Sequence, residues 1–483
     1  MRVLRRFFLL VFVGTATVLK GAPAIATADR PRLIVLSDYF KDPDDKQSMI
    51  RLLVYANEFE LEGLIATSLA YGDGAVRPEL IHEIIDDYAK VYPNLRLHGR
   101  PGAGFPAPAA LKLLVKAGAP VVRTRGGGRP GFAIPYPPGA HDSRACTPAE
   151  NWIGAGKDTA ASQHIIQVVD RDDPRPVWVA VWGGPMDLAQ ALWKVRHERP
   201  PAALARFVAR LRLYQISWQD SGAVWLWENF PDLFRIQSTT VAHGLYAEGP
   251  PELRDAAWVQ ANLTEGHGAL GAGYPAANAT GKSAVNVKEG DTASFLHLLA
   301  PGLTDPEQPT WGGWGGRFQP FDATSRRYID ARDRHPASDD PRRESRWTLA
   351  RWNEAIANDF AARMDWCVQS RDRANHAPVV RVDGDSSRRV LQRDLVAGET
   401  LSLDAASSQD PDGNPIRFHW WQYAEAGSSR ETLVLQTASS PRVTFVAPKV
   451  STPQTIHLIL SATDDGKPNL TSYRRVIVNL RAP

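Results

Sequence analysis

The feature that most restricts the fold of this chain is a set of short, wholly apolar runs alternating with helix-patterned segments between Arg32 and about Ser238. Leu33 to Leu36, Leu61 to Thr67, "VWVAVW" (Val177 to Trp182) and "LRLYQIS" ending at Ser217 read as strands. Met49, Leu52, Leu53 and Ala56 recur at helical spacing after the first. Val76, Leu80, Ile81, Ile84, Tyr88 and Val91 do so after the second, and Met186 to about Arg196 follows the third. A strand apolar on both faces must be covered on both, so the pattern predicts an α/β domain with a mostly parallel sheet. Ligands of such sheets sit beyond the carboxyl ends of the strands. Asp38, Trp182 and Trp218 fall at those ends.

At 483 residues the chain exceeds one ordinary core. Residues 1–28 read as an export signal: Arg2, Arg5 and Arg6, an apolar run from Phe7 to Leu19, and a small-residue cleavage site at Ala26-Thr27-Ala28. The run is too short for a stable membrane anchor, so the mature chain is expected to be secreted or periplasmic. Removing Arg2, Arg5, Arg6 and Lys20 from the 56 basic residues leaves 52 against 53 acids, a net charge of −1. That balance gives no field for nucleic acid. Residues 323–346 are dense in charge and read as a solvated connection, with a closing helix from Trp347 to Val368. After residue 375, short β-rich runs near 399–404, 416–423, 432–436, 442–446, 455–463 and 472–480 suggest an Ig-like β-sandwich over 376–483. The large domain is then 29–375. Cys146 and Cys367 are either a disulfide or two buried thiols.

"LSDYFKDPDDKQS" places Asp38, Asp42, Asp44 and Asp45 where the first strand hands over to the first helix. Helix capping accounts for part of this, with Asp42 as N-cap, Pro43 as first helical residue, and Asp44 and Asp45 in the first turn. It does not account for Asp38. Two unit charges about 4 Å apart repel by about 4 kcal/mol at an effective dielectric of 20. A hard divalent cation turns that repulsion into coordination.

A strand ending in Asp, a Pro-containing loop and an Asp-Asp pair opening a helix resemble the calcium-binding signature of nucleoside hydrolases. More closely, the chain resembles a family of secreted bacterial cellulose-binding proteins with a nucleoside-hydrolase-like domain. The stretches that carry this are "SDYFKDPDDKQSMIRLLVYANEFELEGLIATS", "DPRPVWVAVWGGPMDLAQAL", "GHGALGAGYP", "EGDTASFLHLLAPGLTDPEQPTWGGWGGRF" and "NDFAARMDWCV". The resemblance implies a nucleoside-hydrolase-like sheet followed by the sandwich, calcium (Ca2+) as cofactor, and a carbohydrate or glycoside ligand, cellulose included. It implies that Asp38, Asp45 and Asp291 hold the metal, that Asp38 is also the base toward water, and that Asp44 bonds sugar hydroxyls. Two departures stand out: Asp38 lies two residues further from the Asp pair, and Gly290 stands where those enzymes place His.

His267 in "GHGALG" is either the proton donor to the leaving group or a satisfied structural residue. Trp182, Gly183, Gly184, Gln219 and Asp220 complete the expected substrate contacts. Trp218 occupies a place where the resemblance implies a polar residue. "WGGWGG" (Trp311 to Gly316) reads as a packed loop covering the sheet, ahead of a sugar-stacking platform. "DPDGN" (Asp410 to Asn414) reads as a turn, and "HWWQY" as the source of the sandwich's core tryptophan. The expected function is calcium-dependent hydrolysis of a glycosidic bond, N-glycosyl or related; the alternative is a non-catalytic polysaccharide-binding protein that keeps a metal-stabilised sugar pocket.

Overall fold

A computed structural model describes residues 30–39, 43–68, 74–100, 102–121, 133–137, 140–141, 148–275, 287–299 and 301–482. The export segment, Asp42 and Cys146 lie outside the described residues; Cys367 is a buried thiol.

Strands β1 (Arg32–Ser37), β2 (Glu60–Ala66) and β3 (Val115–Ala117) are followed by a small ribbon, β4 (Ala133–Ile134) with β5 (Ala140–His141). Then come β6 (Val177–Val181), β7 (Leu211–Ile216), β8 (Phe234–Ser238), β9 (Phe318–Pro320) and β10 (Arg327–Asp330). Apart from the ribbon they form one eight-stranded sheet in the order β3-β2-β1-β6-β7-β8-β10-β9, parallel except for β9. Alternate residues of β1 enter opposite cores: Leu33 and Val35 join Trp178 and Ala180 on one face, Ile34 and Leu36 join Val179 and Val181 on the other. Helices α1 (Pro43–Val54), α2 (Pro78–Leu95) and α3 (Pro108–Leu114) contribute to the first layer, with the later helices Thr292–Leu296 and Asn353–Asp365. Helices α4 (Ala160–Asp170), α5 (Met186–Glu198), α6 (Pro201–Ala209) and α7 (Ser221–Asn229) contribute to the second.

The chain winds outward from β1 to β2 and β3, then returns to lay β6 on β1's other side. The strand order therefore reverses between β1 and β6, and that switch point opens a crevice at the carboxyl ends.

The C-terminal domain is a sandwich of two sheets. Strands β11 (Leu391–Val396), β16 (Thr471–Arg481), β15 (Gln454–Asp464) and β13 (Ile416–Gln422) form one in that order; β12 (Thr400–Asp404) and β14 (Arg442–Val446) form the other. Trp420 fills its core, as expected for "HWWQY". "DPDGN" is a turn in which Asp410 accepts from the amides of Asp412 and Asn414.

Three expectations are corrected. Residues 432–436 form no strand beyond a single bridge from Gln436 to Thr444, and β11 takes part instead. The outward charges of "LQRDLV" hide its two inward leucines, Leu391 and Leu395. Second, the charge-dense segment 323–346 carries β10 and the fully buried Asp333, which Arg317 and Arg351 grip at 2.7 and 2.9 Å. Asp333 is thus paired in the seam between domains, while Arg332, Arg334, Asp339, Asp340 and Arg342 are exposed, as a solvated connection requires. Third, the closing helix is two helices, Pro341–Ala350 and Asn353–Asp365, broken where Trp352 turns into an aromatic cluster with Trp421, Tyr423 and Tyr473. The packed-loop reading of "WGGWGG" holds: Tyr214 of β7 donates to the Gly315 carbonyl at 2.9 Å, Trp314 is buried edge-on to Tyr473, and Gly312 leaves no room for a Cβ beside the Tyr423 hydroxyl.

Candidate active site

The acids converge at the β1–β6 switch point. Asp38 directly follows Ser37, the last residue of β1, and is buried. Asp44 and Asp45 open α1, and Asp291 precedes the helix Thr292–Leu296. Asp44, Asp45 and Asp291 each place a carboxylate oxygen within 4.8 Å of the others. Asp38 lies one step further in, with its carboxyl hydrogen-bonded to that of Asp45. The tight trio thus contains Asp44, for which the resemblance implies a sugar contact, whereas Asp38 adjoins it through Asp45.

Burial, then the charges of Asp38 and Asp44, push the Asp45 carboxyl well above the usual carboxylate range. The Ser37 hydroxyl, which donates to Asp45 Oδ1 at 2.5 Å, opposes this without overcoming it. The donor set fits a hard cation: carboxylate oxygens only, crowded so that charge from outside relieves their repulsion. Calcium matches this chemistry and would rest on Asp45 and Asp291, with Asp38 and Asp44 flanking them.

What brings Asp291 over α1 is a clamp absent from the sequence reading. Gln47 accepts from the Lys288 amide at 2.7 Å, Thr292 Oγ1 donates to Ser48 Oγ at 3.1 Å, and Arg51 pairs with buried Glu289 at 2.5 Å. Tyr274 donates to the other oxygen of Glu289 at 2.7 Å. These are ordinary polar residues on a helix face, and only the fold shows that they meet the segment 240 residues later. Thr67, which faces Asp38 from the end of β2, was missed as well; its position one residue past a strand end was the available signal.

The glycines of "VWGGP" are fixed by close approach. A Cβ on Gly183 would stand 2.6 Å from Thr67 Oγ1 and 2.7 Å from Asp38 Cβ; one on Gly184 would stand 2.0 Å from Asp220 Oδ2. Gly290 is different: its Cβ would lie 3.6 Å from Asp44 Oδ2, ordinary contact, so the glycine keeps the rim of the cluster clear.

Several expected substrate contacts are instead supports. The Trp182 indole is buried and donates to Ser294 Oγ at 2.8 Å; Ser294 in turn donates to the Asp291 carbonyl at 2.6 Å. It props the metal-side helix and offers no face to a ligand. Gln219, held at a positive φ of 38°, donates its amide to the Trp182 carbonyl at 2.6 Å. Asp220 is buried and caps α7 through the Ala223 amide. Trp218 turns away into a satellite core with Trp227 and donates to the Tyr136 carbonyl, so it does not alter the crevice.

His267 is not brought to the acids. Its Nε2 lies 3.2 Å from Asp365 Oδ1, at the end of the helix Asn353–Asp365. The next residue, Gly268, packs on Val91 and Val368. Val91 is near the end of α2, which has by then run back to the amino ends of the strands. Its other ring nitrogen, Nδ1, is buried and bonds to no described residue.

A parallel sheet with an acid cluster at its switch point defines a nucleoside-hydrolase-like domain. Family comparison agrees: the family described as "Cellulose-binding Sde182, nucleoside hydrolase-like domain" matches residues 32–318, and "Cellulose-binding protein Sde0182, C-terminal domain" matches 400–480. The chain belongs to this family. A solved nucleoside hydrolase-related protein from Saccharophagus degradans, described as associated with carbohydrate metabolism, is 36% identical. The match covers 94% of this chain and 100% of that one, with a TM-score of 0.76. The effector protein XOO4466 is far more distant, at 12% identity over 71% of this chain and 96% of that chain, with a TM-score of 0.36. No curated protein matches.

Proposed function

We propose that the chain is a secreted, calcium-dependent hydrolase of a glycosidic bond, N-glycosyl or related, in a carbohydrate or glycoside. The observation that carries this reading is the convergence of Asp44, Asp45 and Asp291 within 4.8 Å, with Asp38 beside them at the switch point. Bound calcium would lower the pKa of a water and orient it for attack. Asp45 and Asp291, fixed by Ser37 and by the Gln47, Ser48 and Arg51 clamp, hold the cation. Asp38 receives the proton of the attacking water. Asp44, the least buried of the four, accepts from sugar hydroxyls.

His267 is too remote to protonate a leaving group. Hydrolysis is therefore expected to favour leaving groups that depart as stable anions. The test is a panel of aryl glycosides, alkyl glycosides and nucleosides, with calcium or chelator, and Asp38→Ala alongside. Release from aryl glycosides, lost on chelation and in Asp38→Ala, is the expected result. Calcium bound without release from any member would reject hydrolysis.

A second reading has its own observation. With His267 elsewhere and the rim open at Gly290, the cluster has the parts to hold a cation and sugar hydroxyls but lacks a described acid for bond cleavage. It predicts calcium-dependent glycan binding with no turnover. Among the described residues no helix is long and apolar enough to cross a membrane, which accords with export.

A further inference from the structure

The sheet β11–β16–β15 has one face in the sandwich core and one outside. Val476, Val478 and Leu480 point inward, as do Ile456, Leu458 and Leu460, so their neighbours Arg475, Ile477 and Asn479, and Thr455, His457 and Ile459, point outward. The outer face is divided. At one end Arg475 donates to the Leu303 and Gly312 carbonyls, and Trp421 lies against Trp352, so the N-terminal domain covers it. At the other end the pairing register sets Gln392, Ile477 and His457 in one row, and Asp394, Asn479 and Thr455 in the next. That half is a groove whose floor, His457 and Ile477, is buried, and whose accessible lining is Gln392, Ser428, Thr455, Asn479 and Trp311. Trp311 lies against His457 of β15, and the Gly427–Ser428 turn bonds to Thr455 of the same strand.

We propose that this seam groove binds a neutral polysaccharide chain, at a place distinct from the acid cluster. It encloses about 350 Å3 beside Trp311 and His457 and continues into about 260 Å3 that shares Ser428, Thr455 and Asn479. The first part is lined by no charged side chain; Thr310, Gln392, Ser428, Thr455 and Asn479 supply hydroxyls and amides. The only charges, Asp394 and Arg481, stand in the second part, where Asp394 accepts from the Asn479 amide at 3.0 Å.

A sugar ring offers a rim of hydroxyls and a flat C–H face, and the groove offers the complement of each. Trp311 is half-buried, edge-on to His457 with centroids 5.8 Å apart, which fixes its ring as a wall. Neither its indole N–H nor the exposed Gln392 amide bonds to a described residue. His457 accepts from Arg475 at Nδ1 (2.8 Å), which leaves the hydrogen on Nε2. Burial, then Arg475 and Arg317, pushes its pKa down to about 2, so the ring adds no charge to the groove floor. An anionic polymer would need a row of cations here, and an extended peptide would need an unpaired strand edge, whereas this is a sheet face. The proposal rests on the carbohydrate reading above, not on hydrolysis.

The test is affinity electrophoresis of the full mature chain in gels with and without hydroxyethyl cellulose, a soluble neutral glucan. Trp311→Ala and Gln392→Ala are run beside wild type and Asp38→Ala. Retardation of wild type and Asp38→Ala, weakened at least tenfold in Trp311→Ala and severalfold in Gln392→Ala, is expected. Gln392 is exposed, so its variant answers even where Trp311→Ala has lost its fold. Three results would overturn the groove: no retardation of wild type, equal retardation of wild type and both groove variants, or loss in Asp38→Ala alone. The last would place the glycan at the acid cluster and leave that reading standing.

Discussion

Two buried acids in this chain meet opposite surroundings. Glu58, in the turn after α1, faces Arg363 at 3.1 Å, Arg388 at 3.3 Å and Arg100. Burial alone would raise its pKa, but the three guanidinium groups carry it well below the carboxylate range. Asp45, at the other end of the same helix, is acted on by two more carboxylates and is driven the other way. The chain brings its own cations to the acid that joins its two domains, since Arg388 comes from the sandwich side. At the switch point it brings further acids. An acid matched from within is architecture; acids matched with acids are a place for charge from outside.

The largest expected effect breaks the first half of that contrast. Glu58→Ala leaves three guanidinium groups facing one another in the seam. Breaking a buried ion pair from one side costs about 3–5 kcal/mol, and the partial exposure of Arg100 and Arg388 puts this site near the lower figure. Urea unfolding in calcium-free buffer measures it. The pH dependence has a definite sign. The folded pKa of Glu58 lies below the unfolded 4.5, so its stabilisation is complete above that pH and fades as pH falls toward the folded value. Glu58→Gln should flatten that acid limb, and an unchanged limb would separate Glu58 from it.

Next in size is Gly183→Ala. The new Cβ meets Thr67 and Asp38 below 3 Å, and overpacking of this kind costs about 1–3 kcal/mol. It also shifts Asp38, so calcium affinity should fall with stability. Gly104→Ala, whose Cβ meets nothing within 4 Å, is the control and should be silent.

These glycines show how much of the site was legible beforehand. Strand β6 and its "WGGP" turn were readable because an apolar run followed by Gly-Gly has few other uses in an α/β chain. The acids were readable because their spacing joined a strand end to a helix start. Roles were harder. Trp182 and Asp220 lie at strand ends as expected, but one is a prop and the other a cap, since position along a strand does not tell where a side chain finds its hydrogen bond. Nor could the sequence expose the clamp of Gln47, Ser48 and Arg51 on residues 288–292, or the seam that pairs Asp333, because both depend on segments far apart in the chain.

Asp45→Asn sharpens the contrast from the other side and is smaller. The amide oxygen still accepts from Ser37 while the charge facing Asp38 and Asp44 is gone. In chelator the variant should be at least as stable as wild type, because the amide carries no charge to face Asp38 and Asp44. Calcium should raise the melting temperature of wild type and leave the variant where it is. A variant destabilised in chelator yet still stabilised by calcium would make the trio a structural knot with the cation elsewhere.

The smallest effect is expected at His267, and its smallness is informative. Nine residues of helix α1, about 13.5 Å at 1.5 Å per residue, separate the level of Asp45 from that of Val54. Arg363 donates to the Val54 carbonyl at 3.1 Å, so Asp365 and its partner His267 lie at or beyond that lower level. His267→Gln keeps a polar group within reach of Asp365, which is partly exposed, so stability should change by less than about 1 kcal/mol. Calcium binding and any turnover should be unchanged. A tenfold loss of turnover at constant stability would contradict that placement, because a side chain at the amino ends of the strands has no path to a bond broken at the carboxyl ends.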